Sequence, residues 1–275
     1  MRKSIVLFLA FWGLVISSIQ KSNGQPLVTE NHECFLKNYT HITSEVVPLF
    51  ISIDLPVKGP QPLIDSLTNF LNETLYHFFD NGNDRHLPYI TVYSNDIKHL
   101  IEHYRDAYKP FFLPDNTDIH EFGTDCLAMN LVAQTNTYIT YEVDWIFIGE
   151  GDEVAKEWVT FVLADGHRLT EVISNENILL FYKEHPELRS EEIREHINLN
   201  GNESYPIGKV GLMNDSVAHQ YAFAPGIFED VQYPLTIITP YLSKETRELI
   251  RQTKQSKSPI YKSKKNGKYT NHSDR

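Results

Sequence analysis

The stretch CLAMNLVAQTNTYITYEVDWIFIGEGDEVAKEWVTFVLADGHRLTEVI (Cys126–Ile173) alternates apolar and polar residues and is divided by three short breaks, QTN, GEGD and DGH. Alternation with a period of two is typical of a β-strand that buries one face. Strands joined by breaks this short pair antiparallel with their neighbours. The stretch therefore predicts an antiparallel meander, with a tight turn at Asp165-Gly166 and strands near 127–134, 137–148 and 154–164.

The second break carries acidic residues around its glycines. Glu150, Asp152 and the adjoining Glu153 raise the question of a metal or general-acid site. Neighbouring residues of a strand point to opposite faces, so Asp152 and Glu153 do not converge as a catalytic pair. Glycines supply the backbone freedom that a hairpin turn needs. We interpret the three acids as the solvated tip of a hairpin, where they are candidates for contact with a cationic partner.

Upstream of the meander, the sequence predicts a smaller strand–helix region. Residues 41–56 are rich in β-branched and apolar side chains, which is typical of a strand. Residues 60–80 place apolar side chains three and four positions apart, which predicts an amphipathic helix. A short strand is predicted at 88–94 and a second helix at 95–112. We assign residues 25–125 to this N-terminal domain.

Downstream, the meander is followed by short elements that complete a second domain at 126–250. The sequence predicts two short helices around Pro186, a hairpin over 209–225, a strand at 234–240 and a last helix at 241–250. Strands and helices do not strictly alternate, so the predicted fold class is α+β. It consists of an antiparallel β-meander with packed helices, preceded by the smaller strand–helix region.

The two ends of the chain differ from its body. Arg2 and Lys3 precede an apolar core at Ile5–Ile16, and small residues follow before Gln25. This pattern at residues 1–24 is typical of a secretory signal peptide, with an uncleaved N-terminal anchor as the alternative. No later stretch has the roughly 18 apolar residues of a membrane helix. The sequence therefore predicts a periplasmic or secreted protein without a membrane span after signal cleavage.

Charge is distributed unevenly along the chain. Of 25 lysines and arginines, three precede residue 26 and eight follow residue 250, which leaves 25 − 11 = 14 against 35 of the 36 acids. The body (residues 26–250) thus carries 14 − 35 = −21. Residues 251–275 carry 8 − 1 = +7, and their polar composition predicts a disordered basic tail. An acidic body excludes nucleic acid and favours cationic partners, although solubility alone also accounts for acidity.

The sequence contains no familiar cofactor or nucleophile motif. A Gly-x-Ser-x-Gly elbow, a Walker motif and a dinucleotide fingerprint are all absent. His99 and His103 lie four residues apart on a predicted helix, a spacing that can hold zinc, but no third ligand is evident. A polar stripe beside the apolar helix face is the alternative. We predict no cofactor, no metal site and no catalytic residue.

Cys34 and Cys126 are the two cysteines of the chain. An even number of cysteines in a secreted protein favours a disulfide. On the entropic account, closing a loop of about 90 residues would stabilise the fold by roughly 4–5 kcal/mol. Two separate buried thiols are the alternative.

The order of these features resembles the C-terminal domain of RsiV, a lysozyme-binding anti-sigma factor. Related domains also occur in some secreted polysaccharide deacetylases and in stand-alone envelope proteins. Upstream, residues 41–75 are similar to the smaller domain that often precedes this one. The stretches that carry the resemblance are NTYITYEVDWIF (136–147), WVTFVLADGHRLTEVI (158–173), VGLMNDSVAHQYAFAPGIF (210–228) and PLTIITPYLSKETRELI (234–250).

One departure limits what the resemblance implies. The family's Gly-Gly-Ala-His-Gly turn is reduced here to Gly149 and Gly151, and its histidine is absent. The resemblance implies a non-catalytic binding protein whose partner is a basic, cell-wall-related protein such as lysozyme, and an acidic body suits that partner. A secreted hydrolase acting on envelope polysaccharide is the alternative.

Overall fold

The computed structural model describes residues 26–39, 45–80, 97–108, 125–147, 153–191, 193–195, 209–224 and 227–256. The predicted signal peptide, the predicted strand at 88–94 and the GEGD turn lie outside the described residues, as do residues 257–275 of the tail. Among the helices within these ranges, none has the length and apolar character needed to cross a membrane.

A five-stranded sheet forms the centre of the molecule, with its strands in chain order. All neighbours pair antiparallel except β2 and β3, which pair in parallel. The predicted meander is confirmed as β3, β4 and β5. The strands are β1 (Val28–Tyr39), β2 (Glu45–Lys58), β3 (Asp125–Gln134), β4 (Tyr138–Phe147) and β5 (Glu153–Val162).

Two helices, α1 (Gln61–Asp80) and α2 (Ile97–Tyr108), cover one face of this sheet. Both were predicted from their apolar spacing. Because successive strand residues point to opposite faces, each strand contributes every second side chain to this layer. The resulting core joins strands from both predicted domains and includes Ile51, Ile53, Leu67, Phe70, Leu71, Leu127, Met129, Tyr141, Val143 and Phe161.

A smaller three-stranded antiparallel sheet packs near β5, on the opposite face of the large sheet. Helices from the C-terminal half surround it and bury a second core, which includes Tyr138, Phe181, Leu212 and Ile238. The α+β fold class is confirmed. The elements are α3 (Asn175–Glu184), a 3-10 helix (Pro186–Leu188), β6 (Gly211–Leu212), β7 (Ser216–Ala224), β8 (Ile227–Pro234), α4 (Leu235–Ile238), a 3-10 helix (Thr239–Tyr241) and α5 (Lys244–Ser256).

Two assignments from the sequence are corrected. The predicted strand at 234–240 is helical, because Pro234 ends β8 and Leu235 and Ile238 become buried at helical spacing. The predicted tail begins too early, because α5 continues to Ser256. Thr253 is buried in this extension, and its hydroxyl lies 2.5 Å from the hydroxyl of Thr137 on the segment before β4.

Candidate functional site

Polar side chains meet on the face of the large sheet that lies away from α1 and α2. Strand alternation buries Tyr141 and Val143 under the helices and turns Glu142 and Asp144 to this opposite face. The register of β4 and β5 adds Trp158 and Lys156 there, and the small sheet adds two side chains. We name this group the β4–β5 polar cluster; it comprises Glu142, Asp144, Lys156, Trp158, Gln220 and Asp230.

Lys156 is the centre of the cluster. Its Nζ lies 2.7 Å from Oδ2 of Asp230 and 3.5 Å from Oδ1 of Asp144. Its backbone N–H donates to Oε1 of Gln220, and the amide nitrogen of Gln220 donates to Oδ1 of Asp230, both at 3.2 Å. These contacts bind β5 to β7 and β8 through side chains.

The carboxyl groups of the cluster are only partly neutralised. Burial, and then the charge of Asp144, raises the pKa of Glu142, although Lys156 and the Trp158 N–H that donates at 2.9 Å oppose the rise. Burial also raises the pKa of Asp144 against the effect of Lys156. Burial alone would lower the pKa of Lys156, but the hydrogen bond to Asp230 and the nearby carboxylates raise it. Three carboxylates and one ammonium leave a formal charge of −3 + 1 = −2.

This arrangement suits the capture of a cationic side chain better than metal binding. Within the described ranges, no group of three or more His, Cys, Asp or Glu side chains is placed to hold a metal ion. His99 and His103, the spacing considered for zinc, are both exposed on α2. A half-buried, incompletely neutralised carboxylate cluster favours an additional cation, because burial and mutual repulsion both disfavour its charged form.

The acids predicted at the hairpin tip are only partly described. Glu150 and Asp152 lie outside the described residues. Glu153 begins β5, where its backbone pairs with Phe147 at the end of β4. Glu142 and Asp144 lie on the strand that leads to this tip, so they belong to the same hairpin. Sequence reasoning missed them, although their alternation along a predicted strand was a usable signal.

The predicted disulfide between Cys34 and Cys126 is contradicted. No disulfide joins Cys34, which is buried, to Cys126, which is half-buried. Cys34 pairs with Ile51 of β2 and Cys126 pairs with Phe50, so the two cysteines lie on opposite sides of one strand. Strand spacing then separates them by about 10 Å, beyond the roughly 7 Å between Cα atoms that a disulfide allows. Successive residues of β2 also face opposite ways, which directs the two thiols to different faces.

Comparison with known proteins informs the fold but not the site. No protein-family model matches the chain, and no curated protein matches its sequence. A solved DUF3298 family protein from Bacteroides fragilis is 15% identical, with a TM-score of 0.50, over 83% of this chain and 98% of that chain. Another from Pseudomonas aeruginosa is 13% identical, with a TM-score of 0.49, over 81% of this chain and 97% of that one. The structural neighbours are DUF3298 family proteins. At these identities the likeness concerns the fold alone.

Proposed function

We propose that this protein is a non-catalytic binding protein of the bacterial envelope, periplasmic or secreted, that recognises a basic, cell-wall-related protein such as lysozyme. The observation that carries the proposal is the β4–β5 polar cluster, in which two carboxylates contact the single lysine ammonium and a third, that of Glu142, accepts a hydrogen bond from Trp158 close by. The resemblance of residues 136–250 to the RsiV C-terminal domain supports the choice of partner class.

The negative charge of this protein would attract a basic partner both at long range and at contact. The body carries 14 − 35 = −21, which attracts a basic protein over distances longer than any contact. At short range, a lysine or arginine of the partner would reach carboxylates whose pKa values burial already raises. Binding of that cation offsets the cost of keeping the carboxylates charged. The short-range contact provides specificity that net charge alone does not.

Calorimetry of residues 25–275 with a basic lysozyme tests the proposal at two ionic strengths. Raising the salt from about 0.05 to 0.5 M shortens the Debye length to less than about 5 Å. Specific binding should weaken but persist, because a docked interface keeps its buried core. An unrelated protein of equal negative charge should bind at low salt only.

A matched pair of variants tests the location of the site. Asp144→Asn should weaken binding about tenfold, equivalent to about 1.4 kcal/mol, because one carboxylate of the cluster is lost. Asp65→Asn removes the same charge from an exposed position on α1, across the sheet, and should leave affinity nearly unchanged. Equal effects of the two variants, or binding that disappears at high salt, would contradict the proposal.

The alternative, a secreted hydrolase of envelope polysaccharide, has a separate readout. If the protein released soluble fragments from purified peptidoglycan, and Glu142→Gln abolished that release, the hydrolase would replace the binding proposal. Glu142 is the residue to change, because its raised pKa is the property that a general acid requires.

A further inference from the structure

His219 occupies an unusual position between the small sheet and α3. It lies on β7 with its side chain fully buried, and it is the only buried histidine among the described residues. Its Nε2 is 2.8 Å from the hydroxyl of Tyr182 on α3. The ring of Tyr233 on β8 lies 5.9 Å from the His219 ring, between centroids. His219 therefore contributes a hydrogen bond to the contact between two elements of the second core.

The acids nearest to His219 and its tyrosine neighbours form their hydrogen bonds with other residues. Glu229 accepts a hydrogen bond from Ser190 at 2.7 Å, and Asp230 accepts from the side chains of Lys156 and Gln220. Within the part of the chain that the structure describes, neither acid forms an ion pair with His219. The titratable and charged groups from the elements packed here are Tyr182, Tyr221, Tyr233, Glu229, Asp230 and Arg189.

The tyrosine hydroxyls remain protonated at neutral pH. Burial raises the pKa of Tyr182 far above its ordinary value and raises that of Tyr233 to about 12. A neutral imidazole can accept the proton of the Tyr182 hydroxyl at Nε2, whereas a protonated imidazole has only donors. When His219 is protonated, its Nε2 can only donate. The hydrogen bond then persists only if the hydroxyl of Tyr182 rotates so that its oxygen accepts from Nε2.

We infer that the contact between α3 and the small sheet is an acid-sensitive joint, which opens when His219 takes up a proton. Opening brings the imidazolium into contact with water and removes the cost of burying an unpaired charge. The core beneath α1 and α2 includes no histidine among its described residues, so the five-stranded sheet should stay closed when the joint opens.

The size of the effect follows from proton linkage. Burial lowers the pKa of His219 from an ordinary 6.5 to about 4, although the Gln220 backbone and the Asp230 charge oppose the shift. The open state therefore binds the proton more tightly, and stability is lost as the pH falls from 6.5 towards 4. At a pH well below 4, where this effect is complete, protonation favours opening by a factor of 10 raised to the power 6.5 − 4, about 300-fold.

Amide hydrogen exchange on residues 25–275, corrected for intrinsic exchange rates, tests the joint. Between pH 7.5 and 4.5, amides of α3, β7 and β8 should lose protection while those of β2 and β3 keep it. His219→Gln retains an acceptor for Tyr182 but cannot titrate, so it should preserve the protection in acid. The matched control, His185→Gln, changes a half-buried histidine next to α3 and should open as the wild type does.

A second measurement covers the case in which His219→Gln does not fold. Tyr182→Phe keeps the ring but removes the hydroxyl that forms the hydrogen bond with Nε2 of His219, so the joint should open at a higher pH than in the wild type. The imidazole resonance of His219 in the wild type should titrate together with the loss of protection. The inference is overturned if His219 titrates without opening. The inference is also overturned if a folded His219→Gln variant opens at the same pH as the wild type, or if the amides of both sheets lose protection equally.

Discussion

Gly166 shows how much a single residue can determine at the turn after β5. Its φ of +77° lies in the left-handed region, and its N–H donates to the carbonyl of Val162 at 2.9 Å. A Cβ at this position would lie 2.3 Å from the carbonyl oxygen of Pro62 and 2.8 Å from the nitrogen of Leu63. These are backbone atoms at the start of α1, so no side chain can move aside.

Gly166→Ala should therefore lower the free energy of unfolding by about 2 kcal/mol or more, since a left-handed residue with a Cβ already costs about 1–2 kcal/mol. Urea unfolding measures the change. Gly59→Ala is the matched control, because its nearest contact is a flexible side-chain carbon of Leu27 at 3.0 Å. Similar losses in the two variants would mean that the turn does not press against α1 as described.

Three residues of the β4–β5 polar cluster could be predicted from the sequence. Glu142 and Asp144 alternate with apolar residues on a predicted strand, and a predicted hairpin places Lys156 opposite Asp144. Those three positions follow from local pattern and pairing register. Asp230 does not, because β8 was not predicted and the approach of the small sheet depends on packing across the whole second core. Local sequence patterns carry no information about that contact.

At the scale of elements, α5 is held to the turn after β5 by His167. Its Nδ1 lies 2.5 Å from Asp165, and its Nε2 lies 2.8 Å from Glu245 in the first turn of α5. Burial alone would lower the pKa of His167, but these hydrogen bonds and the two negative charges raise it. Burial alone would raise the pKa of Asp165, but hydrogen bonds from His167 lower it.

The stabilisation by His167 should therefore depend on pH. A raised histidine pKa stabilises the fold below the unfolded value of 6.5, and this is lost as the pH rises through the folded pKa. A lowered aspartate pKa stabilises above its ordinary 3.8 and is lost in stronger acid. Thermal unfolding of His167→Gln should show its largest deficit near pH 5–6, below about 1 kcal/mol because the pair is solvent-screened. A deficit that is larger at pH 8.5, or unaffected by 1 M salt, would contradict this account.

Elements with strong periodicity were predicted, and those shaped by their neighbours were not. The spacing in α1 and the alternation in β3 to β5 match their structures directly. β1, whose sequence VTENHECFLKNY is largely polar, was not predicted, and it is a strand because it pairs with β2 along its length. The sequence of α4 has β-branched residues that favour a strand, but packing of Leu235 and Ile238 overrides that preference.

At the scale of the whole molecule, the two predicted domains share one sheet. β2 comes from the N-terminal region and β3 from the C-terminal region, and they pair in parallel from Leu49–Asp125 to Ile53–Met129. A parallel pair needs a long crossover, which the chain between these strands supplies through α1 and α2. The sequence could not reveal this pairing, because nothing in either strand specifies a partner so distant along the chain.

The shared sheet predicts that both halves unfold together. Leu67→Ala creates a cavity in the fully buried layer under α1 and should cost about 2–5 kcal/mol. With the predicted signal peptide and its Trp12 removed, the tryptophans are Trp145 on β4 and Trp158 on β5, both in the C-terminal half. Their fluorescence should report the same shifted urea midpoint as far-UV circular dichroism, although the substitution lies in the N-terminal half.

Independent domains would behave differently in that experiment. The tryptophan midpoint would keep its wild-type value, while circular dichroism would split into two transitions. Leu180→Ala is the control, because this leucine is 43% exposed on α3 and its truncation should change stability by no more than about 0.5 kcal/mol. Coincident midpoints in Leu67→Ala follow from the core itself, since Leu67 belongs to the same cluster as Met129, Tyr141 and Phe161. A cavity in that layer weakens the strands of both halves at once.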